Sequence, residues 1–348
     1  MIRLTAFQAR GGADTWNLTI GMPTKDIPSA QSKSVPLSRL DTTDDTFRIT
    51  TRTSVDDLLA SLRHDGMLNP PLVIGKASVF TIVSGFRRIA ACQKLGREDI
   101  PVRVLHPDIG PLKCLRIAIA DNTCQRPLNL IETSRALQKL SGCLGTGKRL
   151  AESASILGLP SNLSIINKIK DLCLFPQIIQ DAILSDAISL STAVDLKKLP
   201  PDCAVAFAQL FGEFKLSLNK QREILTLVKE IARRDSISEQ KVMEDRQLQD
   251  IIIDQDLDRG QKVRELRAYL RQRRFPQIVK AEAIFENQRK QLNLGNDFKL
   301  TPPKDFEGTT YTLNMSFSSI AQLKALHTKL DRMIKHPSLK KIIECKDN

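Results

Sequence analysis

Residues 82–91 read Ile-Val-Ser-Gly-Phe-Arg-Arg-Ile-Ala-Ala, an apolar run that meets a glycine and then two adjacent arginines. The β-branched content before Gly85 is that of a strand, and the stretch to about Leu95, closed by Gly96, reads as a helix. Two cations in the first turn of a helix oppose its macrodipole, so positive charge stands where the backbone is already positive. A bound anion would relieve this, because exposed N–H groups and guanidinium forks both hold phosphate. An equally open reading turns both arginines to solvent or pairs them with carboxylates such as Asp56 or Asp65.

The flanking pattern makes this box part of an α/β module. Ser54 can cap a helix carrying Val55, Leu58, Leu59 and Leu62 at helical spacing, with Gly66 closing it. Leu72-Val73-Ile74 and Val79 to Val83 read as paired strands, and Ile100 to Leu105 as another. Residues 1–35, rich in Ser, Thr, Gly and Pro, read as a mobile tail.

From Lys113 to Leu199 the pattern is helical, broken at Pro127, Gly142 to Gly147, Gly158-Leu159-Pro160 and Pro176. Charged amphipathic helices continue over 201–291, with breaks near Ser236-Ile237-Ser238 and Pro276. After a linker, Thr301-Pro302-Pro303-Lys304, the alternation of Tyr311, Leu313, Met315 and Phe317 with polar residues predicts one half-buried strand. A helix capped by Ser318 or Ser319 follows, with Ile320, Leu323, Leu326, Leu330 and Met333 on one face. A lone strand and helix cannot bury a core, so this element needs a partner chain or docking onto the body.

At 348 residues the chain is long enough for two or three domains. Its +13 formal charge favours a polyanionic partner. The excess concentrates in residues 47–120, with 11 basic against 6 acidic, and in 260–291, with 9 against 3. The seven cysteines (92, 114, 124, 143, 173, 203 and 345) form no CxxC pair and read as small core residues of a reducing compartment. Neither an export signal nor a continuous membrane-spanning apolar run is evident, so a cytoplasmic protein is expected. Gly142 to Arg149 matches Gly-x4-Gly-Lys, but Arg149 stands where a phosphate loop needs Ser or Thr, and a helix precedes it. It is set aside as an inter-helix loop.

Two stretches could meet DNA. Leu150, Ala151, Ala154 and Leu157, the turn Gly158-Leu159-Pro160, and Ser161 through Leu174 have helix-turn-helix spacing, although spacing alone favours an ordinary helical hairpin. Ile165, Ile169 and Leu172 would face inward, leaving Ser161, Asn162, Ser164, Lys168 and Lys170 toward a groove. Further on, Arg264, Arg267, Arg271 and Arg274 form one helical stripe beside Val263, Leu266 and Leu270, which suits phosphate contact. Aromatic residues are only 5% of the chain, which argues against stacking on single strands.

The run Leu72-Val73, Val83-Ser84-Gly85-Phe86-Arg87-Arg88-Ile89-Ala90-Ala91 and Ile100-Pro101-Val102 resembles the ParB N-terminal domain, with its Gly-Glu-Arg-Arg box and Ile-Pro-Val strand. Leu68-Asn69-Pro70-Pro71-Leu72-Val73 fits the family's entry to that domain. Asp121-Asn122 with Gln125-Arg126 and Glu132 is similar to its second box. Leu174-Phe175-Pro176 and Ile188 to Ala193 are similar to its helix-turn-helix segment, with Thr192 where His is common. Related domains occur in nucleases and in sulfiredoxin, but Phe86 stands where sulfiredoxin has its Cys, and no carboxylate or His cluster surrounds the arginines.

The resemblance implies an α+β protein: a tail (1–35), a small α/β nucleotide-binding domain (36–112), an all-α helix-turn-helix domain (113–200), a charged helical region (201–300) and a C-terminal strand–helix dimerisation element (301–348). It implies that Gly85, Arg87, Arg88, Asp121, Asn122, Arg126 and Glu132 hold CTP, with Mg²⁺ at Asp121 and Asn122. The implied function is a homodimeric, CTP-gated clamp on double-stranded DNA in chromosome or plasmid partition, nucleoid-associated, with a ParA-type ATPase as candidate partner. Phe86 replaces the family's acidic residue, which points to weak or absent hydrolysis. A regulator or adaptor without nucleotide, or a nuclease, is the alternative.

Overall fold

A computed structural model describes residues 30–76 and 79–344. The chain divides into two compact units: the first runs to Leu128 and takes in Lys139–Ser161, and the second comprises Asn129–Gln138 and the residues from Asn162 onward.

The first unit is built on a mixed sheet of β1 (Gln31–Pro36), β2 (Leu40–Asp41), β3 (Leu72–Lys76), β4 (Val79–Ser84) and β5 (Asp99–Leu105), ordered β1-β5-β3-β4-β2. β3 runs antiparallel to β4, with Ile74 opposite Thr81, and parallel to β5, with Val73 opposite Val104. Along β5 Ile100 and Val102 turn inward while Asp99, Pro101 and Arg103 turn outward, the alternation that a pleated strand imposes. Helices α1 (Asp56–His64) and α2 (Phe86–Lys94) pack on each other, and α3 (Pro111–Gln125) packs on β4. Val73, Ile82, Ile89, Ala91, Cys92 and Ile100 form the centre of the core.

Three expectations change in this unit. Residues 31–35 are strand paired with β5, not tail, while residues 1–29 of the expected tail lie outside the described residues. The module extends past the expected boundary at 112, because α3 buries Cys114, Leu115, Ala118 and Ile119. Ser54 does not cap α1: Val55 precedes the helix without a side-chain cap, and the Ser54 carbonyl is used elsewhere.

After α3 come α4 (Leu130–Leu144), α5 (Lys148–Ile156), α6 (Leu163–Ile169), α7 (Gln177–Leu184), α8 (Leu190–Leu196), α9 (Pro201–Phe214), α10 (Leu218–Asp235), α11 (Glu239–Met243), α12 (Arg246–Ile253), α13 (Arg259–Arg274) and α14 (Pro276–Leu292). The second unit's helices pack around Phe207 and Phe211, whose ring centroids lie 5.6 Å apart. Gln221 is fully buried, yet every arm is used: it donates to the carbonyls of Ala187 (2.7 Å) and Leu216 (2.8 Å) and accepts from Thr192 Oγ1 at 3.1 Å. A satisfied buried amide of this kind fixes how α8, α9 and α10 meet.

At the C-terminal end the expected lone strand is one half of a ribbon. β6 (Phe298–Thr301) pairs antiparallel with β7 (Thr312–Met315), Leu300 opposite Leu313, so the Pro-containing segment joins two strands instead of separating domains. Helices α15 (Ile320–Ile334) and α16 (Pro337–Glu344) follow, α15 capped by Ser319 as expected. Phe285, Leu300 and Ile342 with Tyr311 and Leu313 form a small core of their own. Of the cysteines, Cys92, Cys114 and Cys203 are buried, but Cys124 and Cys143 are exposed and Cys173 half-buried; Cys345 lies outside the described residues. Burial pushes the Cys203 thiol up to about 11. Among the described residues no helix is long and apolar enough to cross a membrane.

Candidate nucleotide cavity and nucleic-acid surface

Gly85 precedes α2 with φ 97°, a left-handed conformation, and a Cβ there would stand 2.8 Å from Pro71 Cβ. Only glycine lets the 69–71 loop close onto the turn between β4 and α2. Beside this turn opens a cavity of about 480 Å³, within the size range of small-molecule sites.

Both arginines of the box line it. Arg87 donates through Nε (3.0 Å) and Nη2 (2.8 Å) to the Ser54 carbonyl and pairs with Asp57, not with Asp56 or Asp65; Asp56 pairs with Lys94 at 2.7 Å. The Arg87 hydrogen bond holds the Asp57 carboxyl below the usual carboxylate range. Arg88 donates to the Asn69 carbonyl and approaches Asp121 at 3.5 Å. Burial pulls the Arg88 pKa down, and the Asp121 carboxylate opposes that shift.

The second box reaches the same cavity from α3. Asp121, Asn122 and Arg126 line it with Gln125, and Asp121 Oδ2 accepts from Ser84 across 37 residues of chain. Asp121 and Asn122 sit inside α3 and do not cap a helix. Glu132 is not a lining residue. It is fully buried, its carboxylate accepts from the Asn129 N–H at 3.1 Å, and the Asn129 side chain accepts from the Glu132 N–H at 2.8 Å. That reciprocal capping box at the start of α4 explains the Glu better than a nucleotide does.

Magnesium does not fit the two residues expected to hold it. Asp121 Oδ2 already accepts from Ser84 and faces Arg88, and Asn122 Nδ2 donates to the Ala118 carbonyl one turn back at 2.7 Å, so the pair offers a cation one carboxylate beside a guanidinium and one neutral amide oxygen. The lining carries Arg87, Arg88, Arg103 and Arg126 against Asp121 alone, a balance of 4 − 1 = +3. A hard dication seeks the opposite field, oxygen donors with net negative charge. Phe86, largely buried, has the Arg48 guanidinium 4.7 Å from its ring centroid, so an aromatic contact occupies the place of an acid.

Arg103 was not anticipated. It enters from β5, whose N–H at this residue donates to the Pro71 carbonyl at 2.8 Å, tying the strand to the same loop that Gly85 admits. A basic residue on the outward phase of the strand, flanked by Val102 and Val104, was the available signal. Asn69, Thr50 and Ser84 also line the cavity; Asn69 and Ser84 fall in the runs quoted for the resemblance without a role of their own, and nothing local marks Thr50.

The DNA-facing expectations change more. Leu150, Ala154 and Leu157 are buried as expected, and Gly158 takes φ 72°. The second helix, however, is the seven-residue α6, followed by a separate 3-10 turn at Leu172–Leu174. Ile169 and Leu172 are buried as expected, but at the start of the helix Ile166 is buried in place of Ile165, which is 43% exposed. Asn162 is the N-cap, its side chain accepting from the Ser164 and Ile165 N–H groups at 2.9 and 3.2 Å. Ser161, Ser164 and Lys168 are exposed, and Lys170 is the half-buried C-cap.

The arginine stripe of α13 is not a free basic face. Arg267 forks onto Glu223 (3.0 and 3.1 Å), Arg271 onto Glu282 (2.8 and 2.6 Å), and Arg274 reaches Glu230 at 2.8 Å. The Glu282 hydrogen bonds raise the Arg271 pKa. Glu223 and Glu230 come from α10, in the acidic segment where 201–259 carries 12 acidic against 9 basic residues. Packing α13 against α10 and α14 thus pairs three of the four stripe arginines with carboxylates. Arg264 alone of the four remains exposed without such a partner among the described residues.

The family match falls on the first unit. The ParB N-terminal domain family matches residues 22–123. The chain is 38% identical over 87 residues to a probable chromosome 1-partitioning protein ParB of Deinococcus radiodurans, covering 25% of this chain and 30% of that one. It is 26% identical over 212 residues to a probable plasmid-partitioning protein ParB of Thermus thermophilus, covering 52% and 70%. Among solved structures, the C-terminally truncated ParB of Caulobacter crescentus complexed with CTP-γ-S matches at 25% identity and a TM-score of 0.25, over 52% of this chain and 98% of that one. The chain thus spans about a third of the Deinococcus protein, and it is residues 22–123, which carry the glycine turn and its paired arginines, that match the ParB N-terminal domain family.

Proposed function

We propose that the chain is a DNA-binding partition protein in which CTP, held in the cavity beside Gly85, gates closure of a homodimer around double-stranded DNA. The observation that carries this reading is the meeting, in one cavity, of two boxes lying 37 residues apart, with the guanidiniums of both facing it. A guanidinium lining beside a glycine turn suits a polyphosphate. The relatives named for chromosome and plasmid partitioning supply the biological setting.

In this reading Arg87 releases Asp57 and the Ser54 carbonyl to take phosphate, which couples α1 to the ligand. Phe86 offers no carboxylate to order a water, so turnover is slow or absent and closure outlasts binding. DNA is met by Ser161, Ser164 and Lys168 at α6 with Arg264 adding charge, while Asn162 holds the helix end. The homodimer forms through the C-terminal ribbon and α15, where Phe317 (53% exposed) and Ile320 (75%) lie open. A ParA-type ATPase is the natural partner of such a protein.

The decisive experiment is accumulation on closed DNA circles bearing a candidate palindrome, recovered by footprinting genomic fragments. CTP should raise the retained amount on closed but not on linear DNA. Equal retention on both, with and without CTP, would reject the clamp.

A further inference from the structure

We infer that the cavity binds the polyphosphate tail of its nucleotide without a divalent cation, the guanidinium of Arg103 joining the box arginines to supply the charge a metal would bring. The inference rests on the nucleotide reading above and specifies how the site meets its ligand.

The argument starts from charge. A polyphosphate entering a protein cavity needs its negative charge compensated, either by a hard cation or by fixed positive side chains. Here the lining carries four guanidiniums and one carboxylate. Asp57 pairs with Arg87 from α1 and Asp121 faces Arg88, so among the described residues neither carboxylate serves Arg103. A dication placed at Asp121 would sit beside Arg88, which is 3.5 Å from that carboxylate. Like charges at that spacing repel, and burial of Arg88 lessens the screening.

Arg103 is the member whose presence needs this explanation. Its position on β5 is outward, its backbone is held by Pro71, and the side chain lines the cavity. Among the described residues its guanidinium has no hydrogen-bond or ion-pair partner, unlike Arg87 and Arg88. An arginine beside other arginines, with no carboxylate of its own, is electrostatically unfavourable until an anion arrives. The Phe86 ring removes the acid that would otherwise offset it, so the two features act in one direction. A guanidinium fork also presents paired donors to phosphate oxygens, which a bound metal would have to displace.

The test is fluorescence anisotropy of labelled CTP with the full chain, in excess EDTA and in excess Mg²⁺, for the native protein, Arg103→Gln and Arg103→Lys. The expected result is an affinity unchanged within about twofold between EDTA and Mg²⁺. In EDTA, Arg103→Gln should lose about tenfold or more, and Arg103→Lys should recover part of that loss by restoring charge without the fork. Urea unfolding of each variant should match the native protein, since the residue is exposed, which separates loss of binding from loss of fold. Binding that appears only with Mg²⁺ overturns the inference and leaves the nucleotide reading intact. Native affinity in Arg103→Gln overturns the role of Arg103, and absence of CTP binding under both conditions overturns the inference together with the reading on which it rests.

Discussion

The two arginine-rich regions of this chain look alike in sequence and differ in what surrounds them. On α13 the guanidiniums of Arg267, Arg271 and Arg274 each meet a glutamate within 3.1 Å, two of them as forks. In the first unit Arg87 also has a carboxylate, but it, Arg88, Arg103 and Arg126 converge on an open cavity whose lining holds one acid. Counting charges along the chain finds both regions. The second keeps a cavity lining rich in positive charge, whereas carboxylates of α10 and α14 pair three of the four stripe arginines of the first and leave Arg264. An arginine cluster is therefore informative to the extent that its neighbours in space leave it unpaired.

Substitutions can break that contrast. The largest effect is expected from Gly85→Ala, which places a Cβ in a left-handed conformation against Pro71 and should cost about 2–4 kcal/mol while closing the cavity. Urea unfolding with a parallel CTP titration measures both, and wild-type values in each would mean that the turn relaxes freely. Next, Arg87→Ala should lower CTP affinity by about tenfold or more while leaving initial DNA docking in place. Its stability cost should stay within about 1 kcal/mol, because the Asp57 side chain is 58% exposed and the pair is screened.

The mirror experiment is Arg267→Ala on α13. Loss of the fork onto Glu223 should cost about 0.5–1 kcal/mol of stability and leave the salt dependence of DNA binding unchanged. A salt slope shallower by about 0.9 would instead return this residue to the phosphate role its spacing suggests. The smallest effect belongs to Lys168→Ala on α6, expected to reduce the salt slope by about 0.9 with no change in unfolding midpoint. If discrimination between specific and random duplex also stays intact after Ser161→Ala and Ser164→Ala are added, α6 is not the reading helix.

Much of the first unit was legible because its signals are local. The alternation of Ile100 and Val102, the apolar run of β4, and Gly85 followed by two arginines each specify their own conformation. The second unit was legible as helices but not in phase: Ile165 and Ile166 are adjacent and equally apolar, so only packing chooses which one faces inward. Glu132 shows a further limit. Its spacing from Asn129 is that of a capping box, a local device that also satisfies the distant family pattern. The ribbon partner β6 escaped notice because Phe298 and Leu300 make too short an alternation to read without the strand opposite.

The order of residues alone determined the strand–glycine–helix turn, a serine cap at the start of α15, and the placement of most helices, since these depend on backbone conformation and on bonds within a few residues. Tertiary structure decided which charges remain available. It paired α13 with α10, brought Arg103 and Asp121 to the cavity beside Gly85, and buried Ile166 instead of Ile165 on α6. Electrostatic interaction acts through space across segments far apart in the chain, so a local charge count cannot say which guanidiniums face carboxylates and which face an anion.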